Sequence, residues 1–382
     1  MKVVIAPDSF KESLSAEHAA QALADGVRQA LPDATIVCVP MGDGGEGTLD
    51  AVLAATDGER RRVRAQDALG RPHEVDWGYL PGQTAFIEMA GAAGLEAIAF
   101  DERDVGRAST FGVGEVIRAA LDAGALRLVI GLGGSATNDG GAGMLQALGV
   151  RLLDAKGENV MPGGKALSEL ATIDLSKVDP RLSGVLIEAA TDVDNPLCGP
   201  NGASAVFGPQ KGAKADDVRQ LDRALSHFAD LTAQATGTDV RDAPGTGAAG
   251  GSGFALQAYF GARFRPGVAL VAELNGLADT LHEADLVYTG EGRMDAQTVR
   301  GKTPFGVAQL ARAANVPVIA VAGSLGEGYE AMYAYGLTAA FSLVGGPTTL
   351  ATACAEAPRL LAERARDTSR LWAASTAQRE KG

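Results

Sequence analysis

Apolar and polar positions at the start of the chain follow strand and helix periods in turn. The stretch KVVIAP predicts a strand, and Ser15 is placed to cap a helix that carries Leu23 and Val27 on one apolar face. TIVCVPM predicts a second strand, and GEGTLDAVLAAT begins a second helix. Strands that alternate with helices indicate a parallel sheet with helices on its faces.

The pattern changes in the middle of the chain. Residues 60–100 contain three short segments, RRVRAQD, HEVDWGYL and TAFIEMA, separated by Gly and Pro turns, which predicts antiparallel strands. The last hundred residues alternate strand and helix again, as the first sixty do. We therefore expect an α/β protein with a discontinuous outer domain, residues 1–75 plus 286–382, and an inserted α/β domain, residues 76–285.

Composition excludes several classes of protein. The chain has 382 residues, of which 46% are hydrophobic, enough for one large or two ordinary domains. Its net charge of -13, without a basic patch, argues against a nucleic-acid partner. No window is long and apolar enough for a membrane span, and the N-terminus lacks a signal-peptide core. Three scattered cysteines indicate a reducing compartment, so we expect a cytoplasmic protein.

Five predicted strands are each followed by a carboxylate in a loop of small polar residues. In open α/β sheets, ligands bind beyond the carboxyl ends of the strands, so these loops predict one site. The alternative is that such residues only cap helices and shape turns. The residues concerned are Asp8, Ser9 and Lys11; Asp43 and Glu46; Ser135, Thr137, Asn138 and Asp139; Asp192, Asp194 and Asn195; and Glu291, Arg293, Asp295 and Lys302.

Glycines, acids and a few lysines together are the components of phosphoryl transfer from a nucleotide. The loop GLGGSATNDGGAG, residues 131–143, would bring backbone close to phosphate. Its start also fits the dinucleotide fingerprint G-x-G-x-x-A, with Asp154 about twenty residues on, which would indicate an NAD-dependent hydroxy-acid dehydrogenase. Against this alternative, the residues TNDGG separate the fingerprint glycines from the predicted helix, whereas the fingerprint needs the helix to begin at those glycines. The stretch AQTVRGKT ends like a P-loop but has alanine in place of the first glycine of that motif, so we do not interpret it as a P-loop.

Whole motifs give the chain a close resemblance to the bacterial type I glycerate kinases. The motifs run from residue 6 to about 308: APDSFKESLSA, VPMGDGGEGT, GLGGSATNDGGAGM, ATDVDNPLCGPNGAS, FGPQKGA, GAAGGSGFAL, YTGEGRMDAQT and GKTPFGVA. The resemblance implies an ATP- and Mg²⁺-dependent kinase that converts D-glycerate to 2-phosphoglycerate. It also implies one flavodoxin-like and one restriction-endonuclease-like domain with an active-site cleft between them. A glycerate 3-kinase remains an alternative.

Roles for the polar residues follow as hypotheses from the same residues. A homo-oligomer is compatible with the sequence. Asp139 and Asp43 could instead cap helices, Asp194 and Asn195 could shape a turn, and Lys211 could be a surface lysine. The expected catalytic residues are Asp295, Asp43 and Lys11; the substrate-binding residues Asp8, Ser9, Arg293 and Glu291; the ATP- or phosphate-binding residues Gly133, Gly134, Ser135, Thr137, Asn138, Lys211 and Lys302; and the metal ligands Asp192 and Asp194.

Overall fold

The structure is a computed structural model that describes residues 1–379. Its strands are β1 Lys2–Ile5, β2 Thr35–Cys38, β3 Glu59–Gln66, β4 Pro72–Leu80, β5 Thr84–Glu88, β6 Arg127–Gly131, β7 Arg151–Asp154, β8 Leu170–Asp174, β9 Leu186–Ala190, β10 Arg263–Arg265, β11 Leu286–Thr289, β12 Arg293–Met294, β13 Val318–Ala322, β14 Ser324–Leu325 and β15 Leu337–Ser342. Its α-helices are α1 Ala16–Ala30, α2 Thr48–Ala55, α3 Met89–Ala93, α4 Phe111–Asp122, α5 Ala142–Ala147, α6 Ala203–Phe207, α7 Ala215–Thr236, α8 Ala248–Phe260, α9 Gly267–Leu274, α10 Leu277–Leu281, α11 Thr303–Ala313, α12 Leu350–Ala355 and α13 Ala357–Arg379.

The chain divides into two compact units. The first unit contains Met1–Asp43, Asp50–Asp57 and the chain from Pro266 onward. Its main sheet has the order β15-β13-β11-β1-β2, and every neighbouring pair is parallel. The predicted start of α1 is confirmed, because the Ser15 hydroxyl accepts a hydrogen bond from the His18 N–H at 3.2 Å.

Helices α1 and α13 cover one face of this sheet. They approach closely because Gly26 on α1 has no side chain, and a Cβ there would overlap the carbonyl of Ala362 on α13. The buried hydroxyl of Tyr288, on β11, lies 2.8 Å from the Thr368 hydroxyl and 2.9 Å from the Ser369 hydroxyl. These bonds satisfy a polar group that would otherwise be costly inside the core.

The second unit contains Gly44–Leu49 and Gly58–Arg265. Its main sheet has the order β10-β9-β6-β5-β4-β3. The antiparallel pairing predicted within residues 60–100 is confirmed, since β3 pairs with β4 and β4 with β5 in that sense. Strand β5 then begins a parallel half, in which β5, β6, β9 and β10 follow one another.

The unit boundaries differ from those we expected at residues 75 and 286. Strand β3 and the start of β4 belong to the second unit, because β3 pairs along its whole length with β4, which lies in the sheet of that unit. Helices α9 and α10 belong to the first unit. There Val268 fills the space that Gly306 leaves open, and the Asn275 amide donates to the Pro40 carbonyl at 2.8 Å. The sequence of a short apolar segment at a unit boundary does not indicate which of the two hydrophobic cores the segment packs into.

The predicted α/β class with parallel sheets is confirmed. Within the part of the chain that the structure describes, no helix has the length and apolar character needed to cross a membrane.

Candidate active site

Parallel strands of the first unit bring three carboxylates together. Asp8 follows β1, Asp43 follows β2 and Glu291 follows β11, and these strands are neighbours in the sheet. Their carboxyl ends therefore meet at one edge. The charges of Asp43 and Glu291 act on Asp8, and the charge of Asp43 also acts on Glu291. We call Asp8, Asp43 and Glu291 the acid cluster.

Asp8 is the most perturbed member of the acid cluster. Its Oδ1 accepts the Ser9 N–H at 2.6 Å, and its Oδ2 accepts the Thr303 hydroxyl at 2.5 Å. Burial, with the charge of Asp43 next in size, raises the pKa of Asp8 to about 7, although both hydrogen bonds act in the opposite direction. The carboxyl group is therefore poised to exchange a proton near neutral pH.

Glu291 is a buried member of the acid cluster. Only 7% of the residue is exposed, and the Thr298 hydroxyl donates to its Oε1 at 2.8 Å. Lys302 Nζ lies 3.3 Å from Oε2. Burial raises the pKa of Glu291, and the nearby Lys302 charge lowers it by a smaller amount. Lys302 stands immediately before α11, so a cation and a helix N-terminus occur at the same place.

Asp295 has a different environment from Asp8. It accepts the Gln297 N–H at 2.9 Å and the Arg293 guanidinium at 3.0 Å. The Gln297 hydrogen bond, with smaller contributions from Lys302 and Arg293, lowers the pKa of Asp295. Asp295 thus favours its ionised form and lies shortly before the 3-10 turn Thr298–Arg300. Its environment does not favour the role of general base that we expected for it.

Lys11 is exposed on a tight turn after β1. The turn is closed by N–H bonds from Ser13 and Leu14 to the Phe10 carbonyl. Phe10 is buried, and Gly292 packs beside the backbone of Phe10 and Lys11. The loops that carry Lys11 and Arg293 therefore touch, and both cations are exposed.

The glycine loop of the second unit, residues 131–143, packs against the chain itself. A Cβ on Gly131 would lie 2.5 Å from the Gly44 carbonyl oxygen, and one on Gly133 would lie 2.8 Å from the Gly45 Cα. Close packing of Gly44 and Gly45 on the loop thus explains two of its glycines, Gly131 and Gly133. Gly134, with φ of +71°, is the exposed member of the loop.

The side chains of the glycine loop point inward. Thr137, Asn138 and Asp139 are fully buried, and Ser135 is 6% exposed. Asp139 accepts hydrogen bonds from the Thr110 N–H and hydroxyl at 2.9 Å, and from the N–H groups of Gly141 and Gly143 at 3.1 Å. Burial raises the pKa of Asp139. The helix-capping interpretation of Asp139 fits these bonds, since Gly143 lies in the first turn of α5.

Lys211 is not the surface lysine that one interpretation suggested. It is 2% exposed, and its Nζ donates to the Ser135 hydroxyl at 2.8 Å and to the Thr137 carbonyl at 2.7 Å. Burial lowers the pKa of Lys211 to about 7, while the charge of Asp139 raises it.

Asp192 and Asp194 are exposed on the loop that follows β9. The Asn195 amide donates to the Asn201 carbonyl at 2.8 Å, and its own carbonyl accepts the Gly247 N–H at 2.9 Å. Asn195 therefore shapes this loop. Across residues 1–379, no group of three or more His, Cys, Asp or Glu side chains is arranged to hold a metal ion.

The geometry does not build a dinucleotide site at the glycine loop. Helix α5 begins only at Ala142, well after the GLGGSA segment. Asp154 ends β7, which pairs with β8 in a separate two-stranded sheet. The fingerprint requires a helix that opens at the glycines and an acid on the neighbouring strand of the main sheet. Both requirements fail here.

Three hydroxyl groups in these sites were missed by sequence reasoning. Thr303 and Thr298 donate to the acid cluster, and Thr110 holds Asp139. Thr303 had one visible signal, since it follows Lys302 at a predicted helix start. Thr110 had none, because its partner lies 29 positions away in the chain.

An α/β fold with acids gathered at the carboxyl ends of parallel strands is an enzyme architecture, and comparisons assign its family. A sequence model of the glycerate kinase family matches residues 3–373. The glycerate kinase of Bacillus subtilis (strain 168) is 51% identical over 368 residues, which are 96% of each chain. The glycerate 2-kinase of Escherichia coli (strain K12) is 49% identical over 351 residues, 92% of each chain.

A solved structure gives the same result. The crystal structure of a protein assigned as glycerate kinase 2 from Salmonella typhimurium LT2 has a TM-score of 0.90 to this chain, with 47% sequence identity and 99% of each chain covered. The chain belongs to the glycerate kinase family. The resemblance stated from the motifs is confirmed.

Proposed function

We propose that this chain transfers the γ-phosphoryl group of ATP to the 2-hydroxyl of D-glycerate, producing 2-phosphoglycerate and ADP. Membership of the glycerate kinase family and the 49% identity to a glycerate 2-kinase support the reaction. The observation that carries the chemistry is Asp8, a carboxyl group with a pKa of about 7 beside Asp43 and Glu291.

Asp8 is the proposed general base. The proton of the 2-hydroxyl passes to Asp8, the hydroxyl oxygen forms a bond to the γ-phosphorus, and the bond from that phosphorus to the β–γ bridging oxygen breaks, leaving its electron pair on ADP. The Thr303 hydroxyl fixes the orientation of the Asp8 carboxylate through its 2.5 Å bond. The charge of Asp43, the residue that we expected as a base, raises the pKa of Asp8 and so supports Asp8 in that role.

The exposed cations of the first unit are the proposed partners of the glycerate carboxylate. Lys11 and Arg293 stand on loops that touch, and Ser9 lies between Asp8 and this turn. Cations paired with a carboxylate form charge-assisted hydrogen bonds, which are stronger than neutral ones. Asp295 holds the Arg293 guanidinium at 3.0 Å and so orients it. Asp295 thereby has a positioning role.

We propose one contact for the phosphate groups of ATP in each unit. In the first unit, Lys302 and the N-terminus of α11 supply positive charge. In the second unit, Gly133 and Gly134 form the part of the glycine loop nearest the surface, and the buried Ser135 follows them. Thr137 and Asn138 are buried, so their role is to shape the loop.

Mg²⁺ fits this chain as a companion of ATP. It prefers oxygen ligands and is commonly held by one or two carboxylates together with the nucleotide phosphates, and Asp192 and Asp194 offer exposed carboxylates on one loop. Asp192 and Asp194 remain the proposed carboxylates. Bound there, Mg²⁺ would neutralise phosphate charge. A cytoplasmic location and a homo-oligomer stay predictions from the sequence.

The test is an ADP-release assay with ATP, Mg²⁺ and D-glycerate, with enolase added to consume 2-phosphoglycerate. We expect glycerate-dependent ADP together with phosphoenolpyruvate. ADP without phosphoenolpyruvate, until a phosphoglycerate mutase is added, would move the phosphate to the 3-position. No glycerate-dependent ADP would refute the kinase proposal.

The role of Asp8 has its own test. Asp8→Asn should lower kcat by about 100-fold or more, the usual contribution of a general base. In the unchanged protein, kcat/KM for glycerate should rise with pH through about 7 as Asp8 loses its proton. Asp33→Asn, at an exposed position before β2, is the matched control and should retain full activity. Near-normal turnover of Asp8→Asn would exclude Asp8 as the base.

A further inference from the structure

Lys211 is a buried cation without a carboxylate bonded to it. The 3-10 helix Pro209–Lys211 delivers it inward, and Gly212 follows with φ of +94°, a conformation that favours glycine. Only 2% of Lys211 is exposed. Burying an ammonium group is costly unless its hydrogen bonds are made, so this placement requires a specific partner.

The partner of Lys211 is the glycine loop. Nζ donates to the Ser135 hydroxyl at 2.8 Å and to the Thr137 carbonyl at 2.7 Å. One bond fixes a side chain of the loop and the other fixes its backbone two residues further on. Asp139, at the far side of the same loop, supplies the opposite charge that acts on Lys211. Lys211 therefore spans the inner side of the loop.

The loop requires such support because its shape leaves polar atoms unsatisfied. The Thr137 hydroxyl and the Asn138 Oδ1 are buried without a hydrogen-bond partner, while Asn138 Nδ2 donates to the Ser204 hydroxyl at 2.8 Å. A buried unsatisfied polar group disfavours the conformation that contains it. Bonds from Lys211 and Asp139 offset this cost and hold the loop in place.

We propose that Lys211 is a positioning residue, which holds Ser135 and Thr137 in the conformation that receives phosphate, and that it does not itself contact the nucleotide. The proposal rests on the proposed role of the loop in ATP binding. Its basis is geometric: the Lys211 ammonium is covered, and both of its bonds end on the loop. A lysine that binds phosphate directly would instead present its ammonium group at the surface.

Amide hydrogen exchange of the nucleotide-free protein tests the proposal. In Lys211→Met, exchange within residues 131–143 should become about tenfold faster or more, because the bonds that hold the loop are lost. The Kd for MgATP, measured by calorimetry, should rise by a similar factor, while KM for glycerate should stay unchanged. Lys211→Gln, which keeps an N–H donor without the charge, should recover part of both effects.

Lys165→Met is the matched control. Lys165 is another lysine of the same unit, bonded to Asp217 at 2.7 Å in a partly exposed ion pair, and its removal should change neither loop exchange nor ATP affinity. Weaker ATP binding of Lys211→Met with unchanged loop exchange would show direct contact with phosphate and overturn the proposal. Unchanged exchange and unchanged affinity would overturn it as well.

A second variant covers the case in which Lys211→Met does not fold. Ser135→Ala leaves the lysine in place and removes one of its two acceptors, so exchange at residues 135–138 should still accelerate. Unchanged exchange in Ser135→Ala would then contradict the proposal. The exchange measurement needs no turnover, so its outcome is independent of the ADP-release assay that tests the proposed function.

Discussion

At the scale of single residues, Asp8 combines two demands that oppose each other. A proton acceptor near neutral pH needs surroundings that disfavour its charge, and such surroundings destabilise the folded chain once the group ionises. Asp8 meets the first demand through burial and the neighbouring charge of Asp43. The second demand predicts a measurable cost to stability.

Relative to the unchanged protein, Asp8→Asn should be more stabilising at pH 8 than at pH 5. Because folding raises the pKa of Asp8 from 3.8 to about 7, its contribution to stability is fully present below pH 3.8 and is lost as the pH rises through 7. The free energy of unfolding of the variant, relative to the parent, should therefore increase by about 1–3 kcal/mol between pH 5 and pH 8. Urea unfolding at both pH values measures it. An equal difference at both would show that Asp8 titrates normally.

Lys11→Ala should weaken glycerate binding selectively. Loss of one charge-assisted hydrogen bond to a carboxylate should raise KM for glycerate by about tenfold or more, with KM for ATP unchanged. Steady-state kinetics with each substrate varied in turn makes the comparison. Lys177→Ala, at an exposed position in the second unit, should leave both constants unchanged. A parallel rise in KM for ATP would contradict a role confined to the glycerate carboxylate.

At the scale of elements, the parallel half of the second sheet is joined by an ion triad, in which a buried carboxylate binds two partly exposed guanidinium groups. Glu188, on β9, is 4% exposed and accepts hydrogen bonds from Arg127 on β6 at 2.7 Å and from Arg265 on β10 at 2.9 Å. Glu188→Ala would leave two guanidinium groups close together without that carboxylate. Removing one partner of a buried ion pair strongly destabilises a fold, even where the intact pair contributes little.

We expect Glu188→Ala to lower the free energy of unfolding by about 3 kcal/mol. Chemical denaturation, followed by far-UV circular dichroism, measures this loss. The control is Glu59→Ala, which removes an exposed partner of Arg61 and should cost under about 1 kcal/mol. A loss in Glu188→Ala no larger than that of the control would mean that solvent already screens the triad.

Gly26→Ala should destabilise the first unit, although alanine favours helices. The new Cβ would overlap the Ala362 carbonyl, so α1 and α13 would have to move apart. Overpacking of this kind costs about 1–3 kcal/mol, more than the gain in helix propensity of about 1 kcal/mol. Thermal unfolding should show a lower Tm. Gly184→Ala, at a position with open space around it, is the control; a stabilised Gly26→Ala protein would show that the helices adjust freely.

Elements were easier to predict than their partners. The helix starting after Ser15 follows from local signals, and the structure contains it. The bond from Thr303 to Asp8 joins residues 295 positions apart, and no local pattern encodes it. Lys211 shows the same limit, since its sequence position gives no sign that it is buried under a loop 74 positions away. The motifs predicted the polar residues of the candidate site, but not which of them are buried or which groups they bond, because both depend on long-range packing.

At the scale of the whole molecule, the net charge of the protein has the same sign as the charges of its substrates. The chain carries a net charge of -13, whereas glycerate and ATP are both anions. The residues around the acid cluster do not reverse this sign, because four carboxylates accompany three cations there. Lys302 lies 3.3 Å from Glu291 and Arg293 lies 3.0 Å from Asp295. The other groups are Asp8, Asp43 and Lys11. The long-range field therefore opposes the approach of both substrates, and salt should weaken this opposition.

Ionic strength should accordingly raise the apparent second-order rate constant for glycerate. At low salt the repulsion reaches about 30 Å, and at physiological ionic strength it is screened within about 8 Å. We expect kcat/KM for glycerate to increase about twofold when KCl raises the ionic strength from about 0.01 M to about 0.15 M at constant free Mg²⁺. The change should appear in KM, because kcat describes the bound complex, where distant charges matter least. A decrease in kcat/KM over this range would mean that Lys11, Arg293 and Lys302 dominate the field that glycerate meets. Local cations would then outweigh the net charge of the chain.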